Sequence, residues 1–199
     1  MEDKKNKVFE SYNIIASWFA ENRYQGLIEK AYLDKIIEVL GKGSSILDLG
    51  CGTGMPMMGY LLSQGMQVTG VDASHRMLEV AKKNLPFADF RQADMRELSL
   101  GEKFDAIIAW DSFFHLPSDD QPAMFDIFKK HLHPGGILMF TSGKELGEVW
   151  GMNGGENLFH ASLDKAQYQS LLETRGFHVL EYKEDDPDCG NATVWMAQL

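Results

Sequence analysis

The chain has 199 residues, enough for one sizeable hydrophobic core. Its 19 Lys and Arg against 29 Asp and Glu leave a formal charge of −10, which argues against nucleic acid as a partner, because that binding draws on cationic side chains. No charge-free apolar run approaches the roughly 20 residues of a bilayer span, Met1–Lys7 has no apolar leader stretch, and Cys51 and Cys189 suggest no disulfide framework, so a single cytoplasmic domain over 1–199, outside any membrane, is expected.

Ile14, Ile15, Trp18 and Phe19 are spaced for a helix over 8–22, and Leu33, Ile36, Ile37 and Leu40 for a second over 27–40 that Gly41 ends, so residues 1–42 read as a helical cover. The apolar run through Ile46 and Leu47 is the first strand, and a helix follows near 55–64. The second strand closes at Asp72, and Ser74 caps a helix carrying Met77, Leu78 and Ala81. Pro122 suits the first turn of a helix over 121–132. The glycine-rich segment 143–160 reads as a long loop, a type that is usually functional or disordered. A helix over 164–175 ends at Gly176, and the runs 177–183 and 193–198 flank a turn-rich stretch as an antiparallel hairpin.

The most informative stretch is Asp48-Leu49-Gly50-Cys51-Gly52-Thr53-Gly54, where a buried strand turns into a helix with its backbone stripped bare for a ligand. Asp72, at the end of the next strand, can accept two hydrogen bonds from the cis-diol of a ribose. A dinucleotide fingerprint needs glycine where Met55 stands, which disfavours a dehydrogenase, and no Walker lysine follows.

The form acid-x-G-x-G-x-G resembles the first motif of the class I S-adenosylmethionine-dependent methyltransferases. Three further segments fall where that family would put them. Phe90–Met95 looks like the third strand followed by Asp94 and Met95 flanking adenine, Phe104–Trp110 like the fourth strand, and His133–Phe140 like a turn and the fifth strand. The resemblance is close over roughly 44–142. It implies an α/β, Rossmann-like, doubly wound, mostly parallel sheet of seven strands in the order 3-2-1-4-5-7-6, the last strand antiparallel. It also implies S-adenosylmethionine as cofactor and S-adenosylhomocysteine as product. Asp48, Gly50, Cys51 and Gly52 would sit under the methionyl part and ribose, Asp72 and Ala73 at the ribose, and Asp94, Met95 and Trp110 around the rest. Tyr12 and Arg23 of the N-terminal helix would fold over it.

After the fourth strand, Trp110–Leu116 is where the family keeps its acceptor chemistry. Methyltransferases acting on base or amide NH2 groups carry an acid, two prolines and an aromatic there; Asp111-Ser112-Phe113-Phe114 lacks both prolines, and Phe114-His115-Leu116 is similar to the small-molecule type. His115 is the candidate general base, or else a histidine that hydrogen-bonds a carbonyl and packs on Phe114. Glu148, Trp150 and His160 are the candidate substrate contacts on the 143–160 loop. His131 and His133 at a helix end, and the acidic tip around Asp185, read as structure, so no metal is expected. The expected protein is a monomeric or homodimeric methyltransferase acting on a small molecule. The alternatives are a protein or peptide acceptor, or a catalytically silent cofactor-binding module.

Overall fold

The computed structural model describes residues 2–24 and 26–199; Met1 and Gln25, inside the expected cover 1–42, lie outside them. Three helices come first: α1 (Glu2–Lys5), α2 (Val8–Asn22) and α3 (Lys30–Leu40). Then β1 (Ser45–Leu49), α4 (Met57–Ser63), β2 (Gln67–Asp72), α5 (His75–Asn84), β3 (Asp89–Gln92) and β4 (Phe104–Ala109) alternate. After them come α6 (Gln121–His131), β5 (Leu132–Ser142), β6 (Gly147–Asn153), β7 (Glu156–Ser162), α7 (Lys165–Thr174), β8 (His178–Asp186) and β9 (Ala192–Gln198).

Seven strands form one sheet in the order β3-β2-β1-β4-β5-β9-β8, which is the expected order once β6 and β7 are counted apart. β1 to β5 pair in parallel, and β9 runs antiparallel between β5 and β8. The inner strands carry apolar residues on both faces because both faces are covered. Leu47, Ile107, Leu138 and Phe140 join one core with Phe125, Phe128, Tyr168 and Trp195. Their neighbours Ile46, Ile108, Ile137 and Met139 join the other, with Leu33, Ile36, Met58 and Leu61 of α3 and α4. Alternation along a strand therefore sends successive side chains to opposite cores. Among the described residues no helix is long and apolar enough to cross a membrane.

Two expectations change. The segment 143–160 is a β-hairpin rather than a loop: β6 and β7 pair antiparallel from Gly147 opposite Ser162 to Asn153 opposite Glu156. Gly154 and Gly155, with φ of 57° and 87°, make the two-residue connection that only residues tolerant of positive φ supply. The turn expected at His133–Gly136 is absorbed into β5, with a register shift opposite Phe104–Ala106.

Candidate active site

A parallel sheet presents its carboxyl ends on one edge, and the loops leaving β1 to β4 meet there. The chain turns sharply after β1 because Gly50 and Cys51 both donate backbone N–H bonds to Val71 O, at 2.7 and 3.0 Å. Gly50 has φ of 83°, and a Cβ on it would lie 2.2 Å from Ser112 Cβ. Ser112 is fixed in turn by its hydroxyl, which donates to Leu49 O at 2.7 Å. A Cβ on Gly52 would meet nothing within 4 Å.

Asp72 does more than close β2. Its carboxylate accepts the Gly52 N–H at 2.9 Å and the Ser74 N–H at 2.8 Å, so it ties the glycine loop to the start of α5. Burial pushes its carboxyl up, and the backbone donors work against that shift. Two of a carboxylate's four lone-pair sites are thereby used, leaving room for a diol. Asp48, 6% exposed, has its carboxyl pushed up to about 7, first by burial and then by the Asp72 charge. On the next loop Asp94 is held by Arg96, whose guanidinium bonds it at 2.6 and 3.0 Å and whose N–H bonds it at 2.9 Å. Burial pushes the Asp94 carboxyl up, but the Arg96 donors outweigh it and hold it below the usual carboxylate range. Arg96 also donates to Asn6 O at 2.7 Å and to Asp120 at 3.0 Å, which moors the N-terminal segment over the site.

The other wall comes from α2 and the segment after β4. His115 Nδ1 lies 2.7 Å from Phe159 O. A carbonyl only accepts, so Nδ1 carries the proton and Nε2 accepts from the Tyr12 hydroxyl, 2.8 Å away. Burial, aided by the nearby His160, pushes the His115 imidazole down to about 4, and the Phe159 carbonyl opposes this. Burial together with Asp72 and Asp111 drives the Tyr12 phenol well above its ordinary value, so the pair stands as neutral phenol and neutral imidazole.

One pocket of about 1040 Å³, its mouth included, is lined by Tyr12, Arg23, Asp48, Gly50, Cys51, Gly52, Asp72, Ala73, Asp94, Met95, Trp110 and His115. The eleven residues expected at a cofactor and the candidate base thus share one cavity. The three candidate substrate contacts do not line it. Glu148 pairs with Lys5, and Trp150 packs on Phe159 with ring centres 5.2 Å apart. His160 reaches the pocket only through His115, at 4.6 Å between ring centres. His115 also packs on Phe114 at 4.9 Å, the structural role expected of it alongside the catalytic one. The pocket further takes in Phe9, Phe19 and Arg96, which the motifs do not single out as site residues, and Asp111, the acid of the segment read as the acceptor region. Of Phe9, Phe19 and Arg96, Arg96 has a local signal, two positions after Asp94.

Comparison with known proteins bears on the domain and on the fold. Residues 46–136 match a family model described as a methyltransferase domain. The dTDP-3-amino-3,4,6-trideoxy-alpha-D-glucopyranose N,N-dimethyltransferase of Streptomyces venezuelae is 36% identical over 100 residues, 49% of this chain and 42% of that protein. The chain therefore matches less than half of that relative's length. Among solved structures, CalS10, an amino pentose methyltransferase from Micromonospora echinaspora solved with S-adenosylmethionine bound, superposes with a TM-score of 0.72 at 18% identity over 92% of this chain and 94% of that one. The [4+2]-cyclase SpnF superposes with a TM-score of 0.71 at 18% identity, over 96% and 94%. Likeness at that identity is a likeness of fold.

Proposed function

We propose that this chain, whose residues 46–136 match a methyltransferase domain, is a class I S-adenosylmethionine-dependent methyltransferase that transfers a methyl group from S-adenosylmethionine to a small-molecule acceptor. The observation that carries the reading is the Asp72 carboxylate, which grips the Gly52 N–H and keeps lone pairs for a ribose diol in the same pocket as Asp94. The cavity fits the cofactor at the glycine loop, where the space beside Gly52 is open. In this reading Asp72 and Ala73 hold the ribose, Asp94 and Met95 flank the adenine, and Gly50, Cys51 and Gly52 give backbone access. Asp48, Trp110, Tyr12 and Arg23 surround the methionyl end. Bound S-adenosylmethionine supplies an electrophilic methyl on a positively charged sulfur.

The residues of the chain then have two tasks. They align the acceptor with that methyl, and they exclude water from a reaction in which charge is lost, so positioning supplies much of the rate. His115 fits positioning better than proton abstraction, because both of its nitrogens are engaged and its basicity is low; it holds Tyr12 against the pocket, and the acceptor's proton leaves to solvent. The roof formed by α1 and α2 suits a small acceptor better than a protein segment, and the charge of −10 disfavours nucleic acid. We assign residues 1–42 to the cover and 143–160 to a substrate lid within a single domain.

Calorimetry with S-adenosylhomocysteine and transfer of labelled methyl from S-adenosylmethionine to a metabolite extract test this together. A second reading is favoured by the superposition on a cyclase: the same fold serving chemistry other than methyl transfer. S-adenosylhomocysteine binding without any labelled product would select it.

A further inference from the structure

Strand order lays the pocket's polar groups out in a line. Asp94 follows β3, Asp72 ends β2, the glycine loop follows β1, Asp111 follows β4, and Thr141 lies on β5. In the reading above, the cofactor fills the stretch from β3 to β1 and presents its methyl toward β4. What lies beyond, between the ends of β4 and β5, is the acceptor's place, and Asp111 stands there.

Asp111 is built for a ligand rather than for the fold. It is a non-glycine residue with φ of 48°, a left-handed conformation that such residues hold mainly where the surroundings impose it. Its N–H donates to Thr141 Oγ1 at 2.8 Å, which sets the turn. Among the described residues its carboxylate has one hydrogen bond, a long one of 3.4 Å from the same hydroxyl. The side chain is open to the pocket, yet protein surrounds it closely enough that burial pushes the carboxyl up. Asp111, Asp48 and Glu29 all lie within electrostatic reach of a single guanidinium, that of Arg23. Glu29 is 4% exposed and its Oε2 has no hydrogen-bond partner among the described residues. This end of the pocket is short of positive charge.

We infer that Asp111 recognises the acceptor through a protonated or hydrogen-bonding amine, which makes the methyl acceptor of this enzyme a small amine; the inference rests on the methyltransferase reading. A cation supplies what the carboxylates lack, whereas a phosphate or carboxylate acceptor would meet like charge and a neutral hydroxyl would give a weaker bond. The acceptor ammonium sheds one proton to water before reaction. The freed lone pair then forms the N–C bond as the C–S bond breaks with its electron pair going to sulfur, and the methylated ammonium product releases a proton to water in turn.

The experiment pairs the unmodified protein with Asp111→Asn, which keeps the shape and suits the left-handed backbone. Each is incubated with deuteromethyl S-adenosylmethionine and a metabolite extract, the labelled products are identified by mass spectrometry, and each is titrated with S-adenosylhomocysteine by calorimetry. The expected result is label on nitrogen, with Asp111→Asn binding S-adenosylhomocysteine as the parent does while the acceptor KM rises about tenfold or more. Label on oxygen, carbon or sulfur overturns the inference and leaves the donor assignment standing, whereas S-adenosylhomocysteine binding with no labelled product at all rejects the methyltransferase reading on which the inference rests. An Asp111→Asn protein that loses S-adenosylhomocysteine affinity in step with the acceptor also overturns the inference, because Asp111 then holds the cofactor. A parent that does not bind S-adenosylhomocysteine rejects the underlying reading instead. The position of the label is read on the unmodified protein, so it decides the matter even if the variant fails to fold.

Discussion

Gly50 and Gly52 both hold positive φ, at 83° and 54°, yet they require glycine for different reasons. Alanine at either costs about 1–2 kcal/mol of backbone strain. At Gly50 the new Cβ would also lie 2.2 Å from Ser112 Cβ and push aside the hydroxyl that bonds Leu49 O. At Gly52 it would project into open space. Urea denaturation should therefore show Gly50→Ala losing clearly more stability than Gly52→Ala, while Gly52→Ala, folded, should lose S-adenosylhomocysteine binding. Equal losses of stability would mean that only the backbone conformation matters at both sites. Asp72 combines the two functions. From sequence it is a ligand-facing acid whose removal spares the fold, but its bonds to the Gly52 and Ser74 N–H groups make it part of the loop's scaffold. Asp72→Ala should thus weaken S-adenosylhomocysteine at least about tenfold and also lower stability by about 1–3 kcal/mol, from two backbone donors left without their partner. Unchanged affinity in a folded variant would remove Asp72 from the site.

At the scale of elements, α2 and the β6–β7 hairpin share a small core of their own. Val8 and Ile15 pack with Leu158, Phe159 and Ala161 apart from the two main clusters, and Tyr12 packs against it. The same two elements meet again where Tyr12 reaches His115 and His115 reaches Phe159 O. Few apolar contacts with exposed flanks mark the units that open below the global unfolding energy, and here Ile14, Trp18, Val149 and Met152 are exposed. Hydrogen exchange should show 8–24 and 147–162 opening together in the free protein and slowing together with S-adenosylhomocysteine. Protection of one segment without the other would separate the cover from the lid. These two elements also mark where the sequence could and could not be read. The bounds of α2 follow from its apolar spacing alone, and the glycine loop with its acids follows from local pattern. The hairpin was missed although Gly154-Gly155 between strand-like runs is a hairpin signal; the other glycines around it made the segment look like a loop. The pairing of Tyr12 with His115 joins residues 103 apart, and the left-handed backbone of Asp111 depends on Thr141 of a neighbouring strand, so neither leaves a local trace.

For the molecule as a whole, two displaced groups of the pocket that titrate on the acid side of neutrality pull stability in opposite directions with pH. Asp48, 6% exposed, has its carboxyl raised from 3.8 to about 7. The unfolded chain therefore ionises it first, the fold carries a penalty above pH 7, and as pH falls from about 7 toward 4 the fold regains about 4 kcal/mol. His115 is lowered from 6.5 to about 4, so it remains neutral in the fold while the unfolded chain takes up a proton. Over the falling range from 6.5 to 4 that costs the fold about 3 kcal/mol. The two contributions nearly cancel between pH 6.5 and 4, and the self-repulsion of a chain with charge −10 relaxes over the same range in any variant. Asp48→Asn removes one side of the balance. Without ligand it should be more stable than the parent at pH 8, where the buried charge is gone, and should lose stability more steeply from pH 6.5 to 4.5, where the His115 cost is no longer offset. Urea denaturation of both proteins at a series of pH values gives the two curves, and their convergence as the pH falls toward 4 is the signature. Curves that stay parallel throughout would mean that Asp48 ionises as freely in the folded pocket as in water, and that the low-dielectric enclosure around the glycine loop is open to solvent.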